Sequence, residues 1–329
     1  MSEERPAATE MVYPLTTADD NVSRETSEPV HHDETPIAAA AAAAARIRGG
    51  RTEAWPRPAA TRVLTVANQK GGVGKTTTTV NVAAAMALHG LRVLVIDLDP
   101  QGNASTALAV PHHAGTRSVY EVLVDGEPLG SVVHEVEAVP GLACVPATID
   151  LAGAEIELVS LVARESRLQR ALDAFLREEA ERGRRVDYVF IDCPPSLGLL
   201  TINAFVAARE VFIPIQCEYY ALEGLGQLIR NVELIQAHLN PDLGVSTIVL
   251  TMYDARTRLA AQVAEEVRQH FGDVVLATAI PRSVRVSEAP SYSQTVLTYD
   301  PGSSGALSYL EAGREMALRA PNPEGGASR

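Results

Sequence analysis

The sequence predicts an α/β fold: a mostly parallel, twisted sheet covered by helices on both faces. Three observations carry that expectation. Short runs rich in β-branched residues recur along the chain and are apolar throughout rather than alternating, as in strands buried on both faces. Helical patterns lie between them, as parallel crossovers require. A glycine-rich segment, residues 71–74, separates the first strand run from the first helical run, and the carboxyl ends of such strands are where open α/β sheets bind ligands.

Folded structure is expected from residue 61 to about 320. Val63 to Ala67 reads as the first strand, and Lys75 to His89 as a helix that stops at Gly90. Leu91 to Ile96 is a second strand ending at Asp97. Leu142–Val145, Val186–Ile191, Val211–Ile215 and Val245–Leu250 read as further strands. Helices are expected over Glu155–Arg182, Ala221–Leu239 and Arg256–Phe271. Residues 1–60 read as a disordered acidic and alanine-rich tail and linker. Up to Ile37 nine acids face only Arg5 and Arg24, a charge of -7, with too little apolar surface to offset ordering entropy. Residues 321–329, rich in Pro, Gly and Ser, read as a flexible C-terminus.

The chain has 329 residues and a net charge of -13. That balance argues against a wholly basic nucleic-acid coat but leaves room for a local patch. Cys144, Cys193 and Cys217 are too scattered for a disulfide framework or structural zinc. No signal peptide is apparent, and the eight alanines from Ala38 to Ala45 are too short a run to span a bilayer, so a cytoplasmic protein is expected.

Of the 28 basic residues only Lys70 and Lys75 are lysines; the other 26 are arginines. Both lysines lie in Lys70-Gly71-Gly72-Val73-Gly74-Lys75-Thr76-Thr77. Glycines let backbone N–H groups approach phosphate oxygens, and the N-terminus of the following helix adds its partial positive charge. Lys75 is placed to bridge β- and γ-phosphates of ATP, and Thr76 to ligate Mg²⁺. The match to the G-x-x-x-x-G-K-[ST] phosphate loop is imperfect, because Gln69 stands at its first position. Two further segments end strands in carboxylates. Asp97-Leu98-Asp99 would put both acids on one strand face if the strand continued that far, and Val189-Phe190-Ile191-Asp192 is a Walker B pattern whose aspartate would hold Mg²⁺.

The additional lysine at position 70 makes the chain resemble the deviant Walker A group of P-loop ATPases, which includes ParA/Soj, MinD and the nitrogenase iron protein. Within that group it is similar to ParA/Soj partition ATPases of the branch without an N-terminal helix-turn-helix. The stretches carrying the resemblance include Asp99-Pro100-Gln101-Gly102-Asn103-Ala104, Leu151 to Leu158, Asp192 to Asn203, Gln216 to Leu225 and Ile280 to Ser291. The resemblance spans residues 63 to about 315.

It implies an ATP-dependent sandwich homodimer in which Lys70 reaches the partner's phosphates and Asp99 orients the attacking water. It also implies sequence-independent binding of double-stranded DNA through positions matching Arg256 and Arg285, and stimulation by a ParB-like protein, hence a nucleoid-associated ATPase. Adenine contacts are carried over to Met252, Pro281 and Arg282. By charge alone the DNA patch is faint, since Thr251 to Pro290 holds five arginines and five acids.

Other members of the group stay open on stated grounds. A MinD-like positioning ATPase would end in a basic amphipathic helix, whereas Tyr309 to Arg319 mixes Glu311 and Glu315 with Arg314 and Arg319, so no membrane partner is expected. A small-molecule ATP-dependent synthetase on the same fold would release phosphate in response to its substrate, without DNA.

Overall fold

The computed structural model describes residues 53–219 and 221–319. Eight strands are present among them: β1 (Arg62–Val66), β2 (Val93–Asp97), β3 (His134–Glu135), β4 (Leu142–Val145), β5 (Tyr188–Asp192), β6 (Glu210–Gln216), β7 (Gly244–Tyr253) and β8 (Val275–Pro281). They form one sheet in the order β3-β4-β2-β5-β1-β6-β7-β8. Each pairing is parallel except the short β3–β4 pair at the edge.

Continuous apolarity has a direct structural reading. In β2 and β5 all residues are buried, and successive side chains enter opposite cores. Val93, Val95, Tyr188 and Phe190 pack into one cluster with helix α1 (Lys75–Leu88). Leu94, Ile96, Val189 and Ile191 pack into the other, against α3 (Val119–Leu123) and against α4 (Leu151–Leu158) and α5 (Arg167–Glu181). A third cluster joins β6 and β7 to α7 (Ala221–His238) and α8 (Arg258–Phe271). Three short helices, α2 (Asn103–Ala107), α9 (Val284–Glu288) and α10 (Val296–Tyr299), and α6 (Leu199–Ala207) complete the connections.

Helix α1 is held between the sheet and the last helix, α11 (Ser304–Leu318). Ala83, Ala84 and Ala85 are fully buried, and these small residues allow the close approach. Gly313 of α11 continues it: a Cβ there would stand 3.1 Å from the Ala85 Cβ and 3.2 Å from the Trp55 ring.

Two expectations are corrected. The single helix expected over Glu155–Arg182 is two, α4 and α5, separated by a turn through residues 159–166. Within that turn Ala163 adopts a left-handed φ of 52°, which a continuous helix does not allow. Asn203 of α6 supplies what the broken helix lacks, donating to the Arg164 carbonyl at 2.8 Å and accepting from the Leu168 N–H at 3.2 Å. A tertiary partner thus overrides a periodic pattern.

Packed structure also starts before residue 61. Trp55 stacks on His89 with ring centroids 4.0 Å apart, and its backbone N–H donates to the His89 carbonyl at 3.0 Å. Arg57 donates to the fully buried Asp187 at 2.9 and 3.1 Å, and Arg185 joins it at 3.1 Å. The rest of the expected tail, residues 1–52, and the expected C-terminal segment 321–329 lie outside the described residues.

Trp55→Ala should lower stability by about 2 kcal/mol, less than a fully buried aromatic because Trp55 is half-buried. Thermal denaturation of the variant against the wild type measures it, and an unchanged midpoint would show that the contact carries no weight.

Candidate active site

The site lies at the carboxyl ends of β1, β2 and β5, where the chain between β1 and α1 turns over the sheet edge. Asn68 fixes the start of that turn: its amide donates to the Pro214 carbonyl at 2.9 Å, and its side-chain oxygen accepts the Lys70 N–H at 3.0 Å. Val73 points into the core, and its carbonyl accepts the Thr251 hydroxyl at 2.8 Å. Gly72 and Gly74 have φ of 73° and 87°, conformations that side-chain-bearing residues resist. A Cβ on Gly71 or Gly72 would meet nothing within 4 Å, so the loop's outer face is open space. Into that space run the N–H groups at the start of α1, which has neither a capping side chain nor an acid in its first turn.

The carboxylates divide by environment. Asp97 and Asp192 are register partners on β2 and β5, and both are fully buried. Asp192 accepts the Thr76 hydroxyl at 2.7 Å and the Thr79 hydroxyl at 3.0 Å. Asp97 accepts the Ser105 N–H at 2.9 Å, its hydroxyl at 2.7 Å, and the Asp99 N–H at 3.2 Å. Burial pushes both carboxyls above the usual range, and the charge of Asp97 adds to the rise at Asp192. Burial pushes the Lys75 ammonium down, against the pull of Asp192 and Asp99. Asp97 and Asp99 do not share a strand face. The strand ends at Asp97, which turns inward to hold α2, while Asp99 lines the open cavity.

That cavity, about 370 Å³, is lined by Gly71, Gly72, Gly74, Lys75, Thr76, Thr77 and Asp99, with Met252 at its far side. A smaller one of about 190 Å³ shares Gly74, Thr77 and Met252 and continues to Pro281 and Arg282. The loop residues and the three carried-over adenine positions therefore border one continuous surface. Met252 has a left-handed φ of 51° beside a register shift between β7 and β8, which turns the chain toward this surface.

Asn103, Thr106, Pro195 and Pro290 also line the larger cavity, and the sequence did not single them out as site residues. Three of them lie in stretches that carry the family resemblance, Asp99 to Ala104, Asp192 to Asn203 and Ile280 to Ser291; no motif marked Thr106.

Lys70 lines neither cavity. Its ammonium pairs with Glu218 at the rim, and its carbonyl accepts the Lys75 ammonium at 3.2 Å. Arg256 and Arg285 line neither cavity, and each is ion-paired. Arg256 grips Asp254 at 2.9 and 2.8 Å and holds that carboxyl at about 2. Arg285 meets Glu288 at 3.0 Å and Asp300 at 3.4 Å.

A triphosphate with Mg²⁺ fits these donors. The open glycine face and Lys75 suit phosphate oxygens. The Thr76 hydroxyl and the Asp192 carboxylate offer hard oxygen atoms of the kind that Mg²⁺ takes.

Comparison with known proteins places this geometry. The AAA domain family profile matches residues 61–245. The sporulation initiation inhibitor protein Soj of Bacillus subtilis is 52% identical over 256 residues, covering 78% of this chain and 98% of Soj. The chain belongs to the Soj/ParA family. The chromosome partitioning protein ParA of Caulobacter vibrioides is 50% identical over 258 residues, covering 78% of this chain and 94% of that protein. Among solved structures, the cobyrinic acid a,c-diamide synthase of Mycobacterium smegmatis, with a bound ATP analog and magnesium, superposes with a TM-score of 0.65. It is 39% identical and covers 77% of this chain and 93% of its own. A putative plasmid partition protein of Borrelia burgdorferi shares the fold at a TM-score of 0.64 and 20% identity, over 78% of this chain and 98% of that chain.

Lys75→Ala should weaken ATP binding by about 100-fold or more, the weight of two charge-assisted bonds. Equilibrium binding of a fluorescent ATP analogue reads this directly, and retention of affinity within a few-fold would remove Lys75 from phosphate recognition.

Proposed function

We propose that this protein is a ParA-type partition ATPase that binds ATP with Mg²⁺, pairs with a second copy across the nucleotide, and binds double-stranded DNA without sequence preference in that state. A ParB-like partner would stimulate hydrolysis and release it, placing the protein on the nucleoid in the cytoplasm. The observation that carries the reading is the division between the two lysines. Lys75 lines the cavity of its own chain, whereas Lys70 stands at the rim, held by an exposed ion pair with Glu218. Such a pair is worth little, so exchanging Glu218 for a partner's phosphate oxygens costs little.

In the proposed reaction water attacks the γ-phosphorus, the bond to the β–γ bridging oxygen breaks, and ADP leaves with that oxygen. Asp99 takes the proton lost by the water and orients its lone pair in line. Lys75 neutralises charge on the β- and γ-phosphates from its own chain, and Lys70 from across the interface. Mg²⁺ held near Thr76 and Asp192 would screen the phosphate oxygens. Met252, Pro281 and Arg282 border the space left for the base.

For DNA, Arg256 and Arg285 would exchange carboxylate for phosphate, and two such patches in a dimer would bind in a salt-dependent way. The end of α11 supports a reading without a membrane partner. Glu315 accepts the Ala277 and Thr278 N–H groups at 2.7 and 3.1 Å, and Arg319 bonds the Val275 carbonyl at 3.0 Å, so these charges are committed to β8. Among the described residues no helix is long and apolar enough to cross a membrane.

One comparison favours a second reading: a chain 39% identical is named as a synthase. Phosphate release that responds to a small carboxylate and is indifferent to DNA would support it. Under the partition reading, Asp99→Ala should lower kcat by about 100-fold while still forming an ATP-dependent dimer in sedimentation velocity. Failure to dimerise would overturn the role given to Asp99. Arg285→Glu should leave ATP affinity intact and weaken DNA binding by about tenfold or more at moderate salt, with a shallower salt slope. Unchanged DNA affinity would remove the patch.

A further inference from the structure

We propose that Glu155 is a positioning residue for ATP hydrolysis, acting from helix α4 on the turn that joins Asp192 to the cavity. This rests on the ATPase reading above. The turn, residues 193–198, leaves β5 directly after Asp192. Its first residue is pinned: the Cys193 N–H donates to the Val66 carbonyl at 3.3 Å, and its thiol meets the Thr65 hydroxyl at 3.1 Å. Pro194 and Pro195 stiffen the middle of the turn, and Pro195 reaches the nucleotide cavity.

The far end of the turn runs into α6, whose N-cap, Gly198, brings no side-chain bond. Glu155 takes that place. It is half-buried and accepts the Leu200 N–H at 3.4 Å. Its carboxyl carbon lies 2.6 Å from where a Cβ on Gly198 would stand, and the three atoms nearest that position all belong to the Glu155 carboxyl group. Gly198 has an ordinary φ of -93°, so the backbone does not demand glycine there; a Cβ would instead displace the Glu155 carboxylate from its place on the turn. A negative charge at the start of the nine-residue helix α6 also opposes its dipole favourably.

The Thr201 hydroxyl closes the turn by donating to the Ser196 carbonyl at 2.6 Å. Pro195 is thus set between two anchors: Cys193, bonded to β1, and Glu155, on α4. If the second is lost, the cavity wall opposite Lys75 and Thr76 is free to drift, which should slow turnover more than it weakens ATP binding.

A double-mutant cycle in the full-length chain with ATP and Mg²⁺ tests this. Glu155→Ala and Gly198→Ala should each lower kcat about five-fold with KM within two-fold of wild type. Together they should be no worse than either alone, because removing the carboxylate makes room for the new methyl group. Glu155→Gln keeps the shape and loses the charge, and should fall between wild type and Glu155→Ala. Additive losses, or a lowered thermal midpoint with wild-type kcat in Glu155→Ala and Glu155→Gln, would overturn the proposal and leave Glu155 a helix cap. A wild-type chain that binds ATP but never hydrolyses it would instead strike the ATPase reading itself.

Discussion

Everything at the nucleotide end of this sheet depends on one buried carboxylate, Asp192. It has no exposure to water and stands beside a second buried acid, Asp97, on the neighbouring strand. A lone carboxylate in such a place would be costly, so its oxygens are occupied. Thr76 and Thr79 donate to it from the first two turns of α1. Those two bonds fix the helix start against β5, which in turn fixes where the glycine loop can run. Asp97 is satisfied differently, by Ser105 and the Asp99 N–H, and the same bonds send Asp99 outward. Two acids that differ by two positions thus acquire opposite tasks. One is consumed in holding the fold, and the other is left facing the cavity.

The amino-acid pattern made much of this legible. Lys75, Thr76 and Asp192 stood out because phosphate and Mg²⁺ require a short loop with glycines, an ammonium and a hard oxygen pair, and few other functions need that combination. The parallel, doubly covered sheet was legible because strands without alternation have no solvent face to offer.

The features that stayed hidden depended on distant partners. Nothing near residues 159–166 announces that Asn203, on another helix, will end one helix and support the next. Trp55 and Arg57 sit in a proline-rich approach that reads as linker, and only His89 and Asp187 give them a place to pack. The inward turn of Asp97 needed Ser105, eight residues on, to be seen. Strand β8 was not singled out, although it is a run of Val, Leu, Ala and Ile leading to Pro281 and one wall of the smaller cavity.

The arginine-for-lysine bias of the chain acquires a physical meaning from these surroundings. Arginine's planar fork suits fixed, bidentate partners, and Arg62 is used that way, its Nε and Nη2 donating to the two oxygens of Glu210. That guanidinium, half-enclosed with its carboxylate, is committed to one geometry. Under the proposed function, the two positions that serve the nucleotide's phosphate oxygens carry lysine, a compact charge on a flexible stem that can exchange one acceptor for another. Among the described residues, the Lys75 ammonium bonds a backbone carbonyl of its own loop, and Lys70 an exposed carboxylate. Both hold provisional partners that a triphosphate exceeds in charge, one within the chain and one at its rim. An arginine at position 70 would form a bidentate pair with Glu218 and be harder to release. Under the proposed function, lysine at position 70 therefore favours a charge that moves to the partner's phosphates.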